Sequence, residues 1–377
     1  MMKPKWFTFL LIFALLLAGC ASPGAATQTA PTQLQTAAPP STATQSSSTS
    51  AAQAGGPTLY VMTHDAFAAS KNVILSFEQA NHAKVQFIAS GDAGTALNKA
   101  ILSKNNPIAD VFYGVDNTFL SRALQAGIFD PYNSPVLKDI PDQYKLDPQN
   151  RALPVDWGDV CPNYDKAYFQ QKNLAPPQNL EDLLKPEYKG MLVVENPATS
   201  SPGLVFLLAT IGHFGVNGYL DYWKGLVKND VLVVNDWETA YNTDFTRAGG
   251  TRPIVISYNS SPAFEVLYAS SPVSEAPTGV ITQNESCFQQ IEFVGILKGT
   301  KQRTLAEKWV DFMLSTQFQE DMPLQMFVFP VNNNAKLNET FTKYLVTPQK
   351  LAYVSPEDIA ANRDQWIQAW TQVVLNK

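Results

Sequence analysis

Charge of either sign is scarce: 16% of the 377 residues are Asp, Glu, Lys or Arg, and the 33 acids outnumber the 27 bases for a net charge of −6. Nucleic acid and anionic membrane surfaces need a concentrated cationic face, so neither is an expected partner. The three histidines stand far apart, and no His-Glu-x-x-His pair, Walker loop or Gly-x-Ser-x-Gly elbow occurs. That removes the usual signatures of metalloprotease, NTPase and serine hydrolase chemistry, and neither a resident metal nor a cofactor is expected. His82 and His213 read as surface residues; His64 opens a strand-to-helix turn. Beyond residues 6–17, no apolar run approaches the roughly 20 residues that span a hydrocarbon core. No internal repeat is evident.

What is present begins with an address. Lys3 and Lys5 precede the short apolar stretch 6–17, and Leu17-Ala18-Gly19-Cys20 closes it. This resembles a bacterial lipobox, which implies a signal peptide over 1–20 and a lipid anchor on Cys20, facing outward from the cell membrane. Residues 21–57 carry no charge and one large aliphatic side chain, Leu34, so they cannot bury enough apolar surface to offset their ordering entropy. They read as a disordered tether. Loss of Lys3 and Lys5 takes the net charge to −8. Two cysteines then remain, Cys161 and Cys287, which read either as one disulfide or as two separate buried thiols.

Residues 58–377 are long enough for two lobes. Strands at 59–62, 84–89 and 110–113 alternate with helices at 66–80, 96–102 and 119–126, which predicts a parallel α/β sheet. Two extended runs, 152–157 and 160–164, then hand over to a second α/β series. Its strands are expected at 191–194, 231–234 and 253–257, and its helices at 202–214, 216–227, 237–247 and 262–269. A β-rich return at 290–297 leads to helices at 305–314 and 356–374. The expected division is lobe 1 over 58–155, lobe 2 over 156–289 and a return to lobe 1 over 290–377, with a hinged cleft between. Trp366 and Trp370 in the last helix read as packing.

Open α/β sheets bind ligands beyond the carboxyl ends of their strands, and chemistry-bearing residues cluster there. His64 and Asp65, Asp92, Asp116, and Asp156 each end or follow a strand, so four carboxylates are expected to ring one cleft. The alternative for Asp65 and Asp116 is helix capping. The run 196–203 starts a helix with hydroxyls and Pro202, a setting whose free N–H groups suit an anion; Thr199 and Ser200 are the expected contacts, with Ser201 as a cap. Trp237, Tyr258, Ser261, Phe264 and Phe327 place aromatic faces and a hydroxyl beside the cleft, whereas Tyr241 and Phe329 read as core.

Taken in order, Thr63-His64-Asp65-Ala66-Phe67, Gly114-Val115-Asp116-Asn117, Thr199-Ser200-Ser201-Pro202-Gly203-Leu204, Trp237-Glu238-Thr239-Ala240-Tyr241, Ser257-Tyr258-Asn259-Ser260-Ser261-Pro262-Ala263 and Phe329-Pro330-Val331 resemble the thiamine-binding solute receptors of ABC importers. The resemblance runs from about residue 59 to 370. It implies a periplasmic-binding-protein type II fold with two α/β lobes, no catalysis, a monomer that closes on thiamine or a thiamine phosphate, and docking onto a membrane-embedded ABC permease. It also implies ligand contacts at Trp237, Tyr258, Ser200 and Asp92. The chain departs from the pattern at His64 and Phe264, where tyrosines are usual, at Phe327, where a tryptophan is usual, and in lacking a tryptophan shortly after Ala69. Two rivals share the fold. Ferric-ion receptors also use a first-turn His, but with a Tyr pair where this chain has Tyr258-Asn259; a thiamine-cleaving enzyme uses a cleft cysteine, for which Cys161 is the candidate.

Overall fold

Eleven strands form one sheet in the computed structural model, which describes residues 56–376. The signal segment, Cys20 and nearly all of the tether lie outside the described residues. The strands are β1 (Thr58–Thr63), β2 (Lys84–Ala89), β3 (Val111–Asp116), β4 (Phe129–Asp130), β5 (Leu153–Asp165), β6 (Leu192–Glu195), β7 (Leu232–Val234), β8 (Ile254–Tyr258), β9 (Thr278–Val280), β10 (Phe288–Leu297) and β11 (Phe329–Pro330). Their main order is β2-β1-β3-β10-β5-β8-β6-β7. Three parallel strands stand at each end, and β10 and β5 run antiparallel to each other and to their outer neighbours. The expected parallel sheet is thus mixed, because the chain crosses between the two lobes and must return.

The two extended runs expected at 152–157 and 160–164 are one strand, β5, which pairs with β10 over its first part and β8 over its second. Nothing between them breaks it: Gly158 continues the extended backbone and leaves room for Tyr258, which a Cβ there would meet at 2.9 Å. The division expected at 155/156 and 289/290 falls within β5 and β10.

Helices cover the sheet where their apolar stripes dictate. The helix Ser201–Phe214 is buried from Ser201 through Ile211, the mark of a segment held between layers; Ser200 caps it, Pro202 starts it and Gly215 (φ 71°) stops it. The helix Pro356–Val374 has Ser355 as its cap and Glu357 and Asp358 in its first turn. It packs against both lobes: Trp370 lies edge-on to Trp223 at 5.4 Å, and Arg363 sits over Phe119.

The helices Lys166–Gln171, Thr316–Gln325 and Glu339–Tyr344 are additional to those expected, and two expected helices differ in extent. The first begins at Lys71 rather than 66, because residues 64–70 spend their backbone groups elsewhere: Asp65 N–H donates to Gly91 O, and Ser70 N–H to the Asp321 carboxylate at 2.7 Å. The helix expected over 237–247 is a single turn, Trp237–Thr239, followed by a widened π turn, Ala240–Asp244, closed by Phe245 N–H onto Ala240 O at 3.0 Å. Such wide turns concentrate at functional sites.

Cys161 in β5 and Cys287 at the start of β10 form a disulfide that joins the crossing strands across 126 positions of sequence. Closing so long a loop restricts the unfolded chain, typically by about 2–4 kcal/mol. Replacing both cysteines with alanine is expected to lower the unfolding free energy by about that amount in urea titration; an unchanged midpoint would show that the bridge contributes nothing.

Candidate functional site

Three carboxyl groups lie side by side because of strand register. Asp116 in β3 faces Glu292 in β10, and Glu292 faces Asp156 in β5. Burial pushes all three toward the protonated form, and at Glu292 and Asp116 neighbouring carboxylates push further: Asp116 is raised to about 6, while Asp156 and Glu292 share one environment and are both held above the ordinary carboxylate range. The Tyr113 hydroxyl donates to Asp156 at 2.7 Å and lies 3.2 Å from Glu292. Asp159 and Glu195, also buried, extend the set; both oxygens of Glu195 lack a hydrogen-bond partner.

Above this row opens a cavity of about 860 Å³. His64, Gln290 and Glu292 are among the residues that line it. His64 Nε2 comes within 3.4 Å of Glu292 Oε1 without hydrogen-bond alignment and has no other partner. Burial lowers the His64 pKa to about 4, against a smaller opposing pull from Asp65, so the ring is neutral at pH 7 and the contact is not an ion pair. Gly114 makes room for the ring: its φ is +108°, and a Cβ there would stand 2.5 Å from His64 Cδ2.

One wall is aromatic. Trp237 stacks on Tyr241 (5.0 Å, 17°), Phe264 stacks on Phe327 (4.1 Å, 27°), and Phe327 meets Trp237 and Tyr241 edge-on. The indole N–H of Trp237 donates to Ser257 Oγ at 3.1 Å, and Ser257 bonds in turn to Ser261. Tyr258 shares hydrogen bonds with Gln290, and the Tyr241 hydroxyl donates to Glu265 at 2.6 Å. Six carboxyl side chains line the cavity, those of Asp65, Asp92, Asp236, Glu238, Glu265 and Glu292. Arg247 is the one arginine or lysine on its wall among the described residues.

The expected site residues divide. His64, Asp65, Asp92, Trp237, Tyr258, Phe264 and Phe327 line the cavity. Asp116 and Asp156 do not: Asp116 accepts from Thr118 N–H, Phe119 N–H and the Ser201 hydroxyl, holding a turn, and Asp156 lies behind Glu292. The ring of four carboxylates is corrected to two of those four, with other acids completing it. Thr199 and Ser200 also lie off the wall. Ser200 is the cap of its helix and Thr199 Oγ1 is spent on Asn235 O at 2.7 Å, whereas Ser201, expected to be the cap, does line the cavity. Ser261 acts one step back, through Ser257. Tyr241, expected in the core, is buried yet forms part of the wall, since the π turn swings it onto Trp237. Phe329 packs on Trp157 and Phe341, away from the cavity.

Gln290 and Glu292 escaped sequence reading, although their alternation with Ile291 and Phe293 in a period-two strand puts both on one face. Cys161 is bonded to Cys287 and off the cavity wall, so it is no thiolate nucleophile. Among the described residues no three His, Cys, Asp or Glu side chains are grouped to hold a metal ion.

The profile of the bacterial extracellular solute-binding protein family matches residues 106–355. A thiamine-binding periplasmic protein of Escherichia coli (strain K12) is 31% identical over 331 residues, covering 84% of this chain and 94% of that protein. Among solved structures, a periplasmic thiamin binding protein superposes with a TM-score of 0.74 at 27% identity, over 85% of this chain and 96% of its own. A ferric binding protein from Campylobacter jejuni superposes at 0.67 with 22% identity, over 84% and 99% of the two chains, a likeness of fold.

The raised pKa of Asp116 has a consequence for stability. Folded, the group keeps its proton up to about pH 6; at its ordinary 3.8, the unfolded chain releases it earlier. The folded state binds more protons in that window, so this contribution is present at low pH and is lost as pH rises through about 6. Compared with Asp116→Asn, the wild type is expected to lose stability from pH 4 to 6 and to level off above 7. Denaturant titrations at pH 4, 5, 6 and 7.5 check this; a constant difference would mean that Asp116 ionises normally.

Proposed function

The chain belongs to the bacterial extracellular solute-binding proteins, receptors that serve ABC importers and perform no chemistry, and we propose that its solute is thiamine, free or phosphorylated. The observation that carries this reading is the make-up of the cavity: an aromatic wall beside six carboxyl groups and a single arginine. Such a wall favours a flat cation. A cationic ring over an aromatic face gains about 0.5–2 kcal/mol, more when water is excluded. The volume lies within the usual range for small-molecule sites.

A thiazolium ring fits the stacked faces of Trp237 and Tyr241, with Tyr258 and Phe327 closing on it. The aminopyrimidine has both donors and acceptors, as do neutral His64, Gln290 and Glu292 on the cavity wall. The thiamine-binding relatives support the ligand, and the acid-rich wall supports its charge. The substitutions at His64, Phe264 and Phe327 keep ring faces while removing hydroxyls or an indole N–H, so stacking carries more of the binding here.

We further propose that Cys20 is lipidated, that residues 21–57 tether a monomeric receptor to the outer face of the cell membrane, and that the lobes divide near 155 and 289 and close on the solute before docking on a permease. Detergent phase partition of the wild type and Cys20→Ala tests the anchor: the first is expected in the detergent phase, the second in the aqueous phase.

Calorimetric titration with thiamine tests the ligand. Saturable binding is expected, and Trp237→Ala and Tyr258→Ala are each expected to weaken it by at least ~1 kcal/mol without loss of secondary structure. Unchanged affinity in both variants would remove these residues from the site; absence of binding with uptake of Fe(III) would replace thiamine with iron.

A further inference from the structure

The helix Ser261–Leu267, which follows β8, grips a short stretch of distant chain from both its ends. Just ahead of it the Ser260 hydroxyl donates to Phe327 O, and just past it the Tyr268 hydroxyl donates to Leu324 O. The stretch so held, 324–327, closes the helix Thr316–Gln325 and leads to β11, and Gln325, Met326 and Phe327 line the cavity. That helix is fastened to the other half of the sheet, between β1 and β2: Asp321 accepts from Ser70 N–H at 2.7 Å, and the Gln317 side-chain amide donates to Ser76 Oγ at 3.0 Å. Tyr268 therefore bridges the two halves at the edge of the cavity.

The two ties are unequal. Ser260 is fully buried, so its bond belongs to the fold. Tyr268 is 55% exposed although it lines the cavity, and the carbonyl it reaches lies in the last turn of a helix, where carbonyls lack N–H partners further along. Water can replace such a bond, so it opens and closes without unfolding. The ring has its own role. Tyr268 lies 4.7 Å from Phe264, which stacks on Phe327 at 4.1 Å, and Phe327 meets Trp237 edge-on at 5.0 Å. This series of rings runs from solvent to the aromatic wall, so the seat of Tyr268 bears on the faces offered to a solute. We propose that Tyr268 is a latch on the cavity: its bond to Leu324 O keeps segment 324–327 against the helix Ser261–Leu267 and sets how fast a bound solute leaves. Entry does not depend on it, because the bond forms once the halves have closed. This rests on the thiamine reading and the closing motion proposed above.

Stopped-flow tryptophan fluorescence, to which Trp237 on the cavity wall responds, tests the latch by giving entry and release rates of thiamine for the wild type, Tyr268→Phe and Tyr268→Ala. Tyr268→Phe keeps the ring on Phe264 and removes only the hydroxyl. Its release is expected to quicken about 3- to 10-fold with entry unchanged, the effect of one neutral hydrogen bond. Tyr268→Ala also removes the ring and is expected to release faster still; if it does not fold, Tyr268→Phe carries the test alone. Unchanged release in Tyr268→Phe, or entry and release altered by the same factor, overturns the latch. Should the folded wild type bind no thiamine, the thiamine reading fails, and the latch is judged on ligand-free protein. Met326 N–H donates to Met322 O at 2.8 Å in the turn that Tyr268 holds. Faster amide hydrogen exchange at Met326 in Tyr268→Phe then supports the latch, and unchanged exchange refutes it.

Discussion

The antiparallel ladder between β5 and β10 is the constraint on which the rest of the molecule depends. These strands belong to both half-sheets: β10 also borders β3, and β5 also borders β8. Their register sets Glu292 against Asp156 and, through β3, Asp116, and it brings Trp157 opposite Ile291. A slip of one residue would turn every side chain to the opposite face of the sheet, exchanging the acid row for apolar residues. The bridge between Cys161 and Cys287 ties the ladder at one end. Fold and site are therefore specified by the same hydrogen bonds.

Burying so many carboxyl groups with so few cations is costly in isolation, and protonation is how the ligand-free protein relieves the cost. Burial accordingly raises the pKa values of Asp116, Asp159 and the Asp156–Glu292 pair. The arrangement leaves a polarisable, electron-rich hollow with a neutral imidazole on its wall. On the proposed reading, a flat organic cation would satisfy it from outside. The aromatic rings contribute twice, by excluding water and by offering their negative faces.

Much of this was legible in the residues. Alternation of strands and helices, the strand-end clusters and the motif order pointed to a two-lobed α/β receptor, and the majority of the elements lie within a few residues of their expected places. The exceptions have separate causes. Residues 66–70 look helical until Asp321 and Gly91 claim their backbone groups. The stretch 240–244 looks like an ordinary helix until its turn widens to seat Tyr241 on Trp237. Short strands such as β4, β9 and β11 have too few residues to show a period. At the site, composition identified acids and hydroxyls near strand ends, yet which of them reach the cavity is decided by capping. Asp116 and Ser200 are spent on helix starts, and Ser201 is left facing inward. Gln290 and Glu292 were readable from their spacing alone, as two polar residues two apart in an apolar strand.

The final helix, Pro356–Val374, adds a mechanical consequence. Trp370 is seated against Trp223 of one lobe, while Arg363, buried on the same helix, leans over Phe119 and reaches Ser121 of the other. A rigid rod fastened to both halves behind the cleft behaves as a strut. On the closing motion proposed above, widening the mouth would drag one of these seats across its neighbour, so the helix behind the halves would resist the swing from the rear.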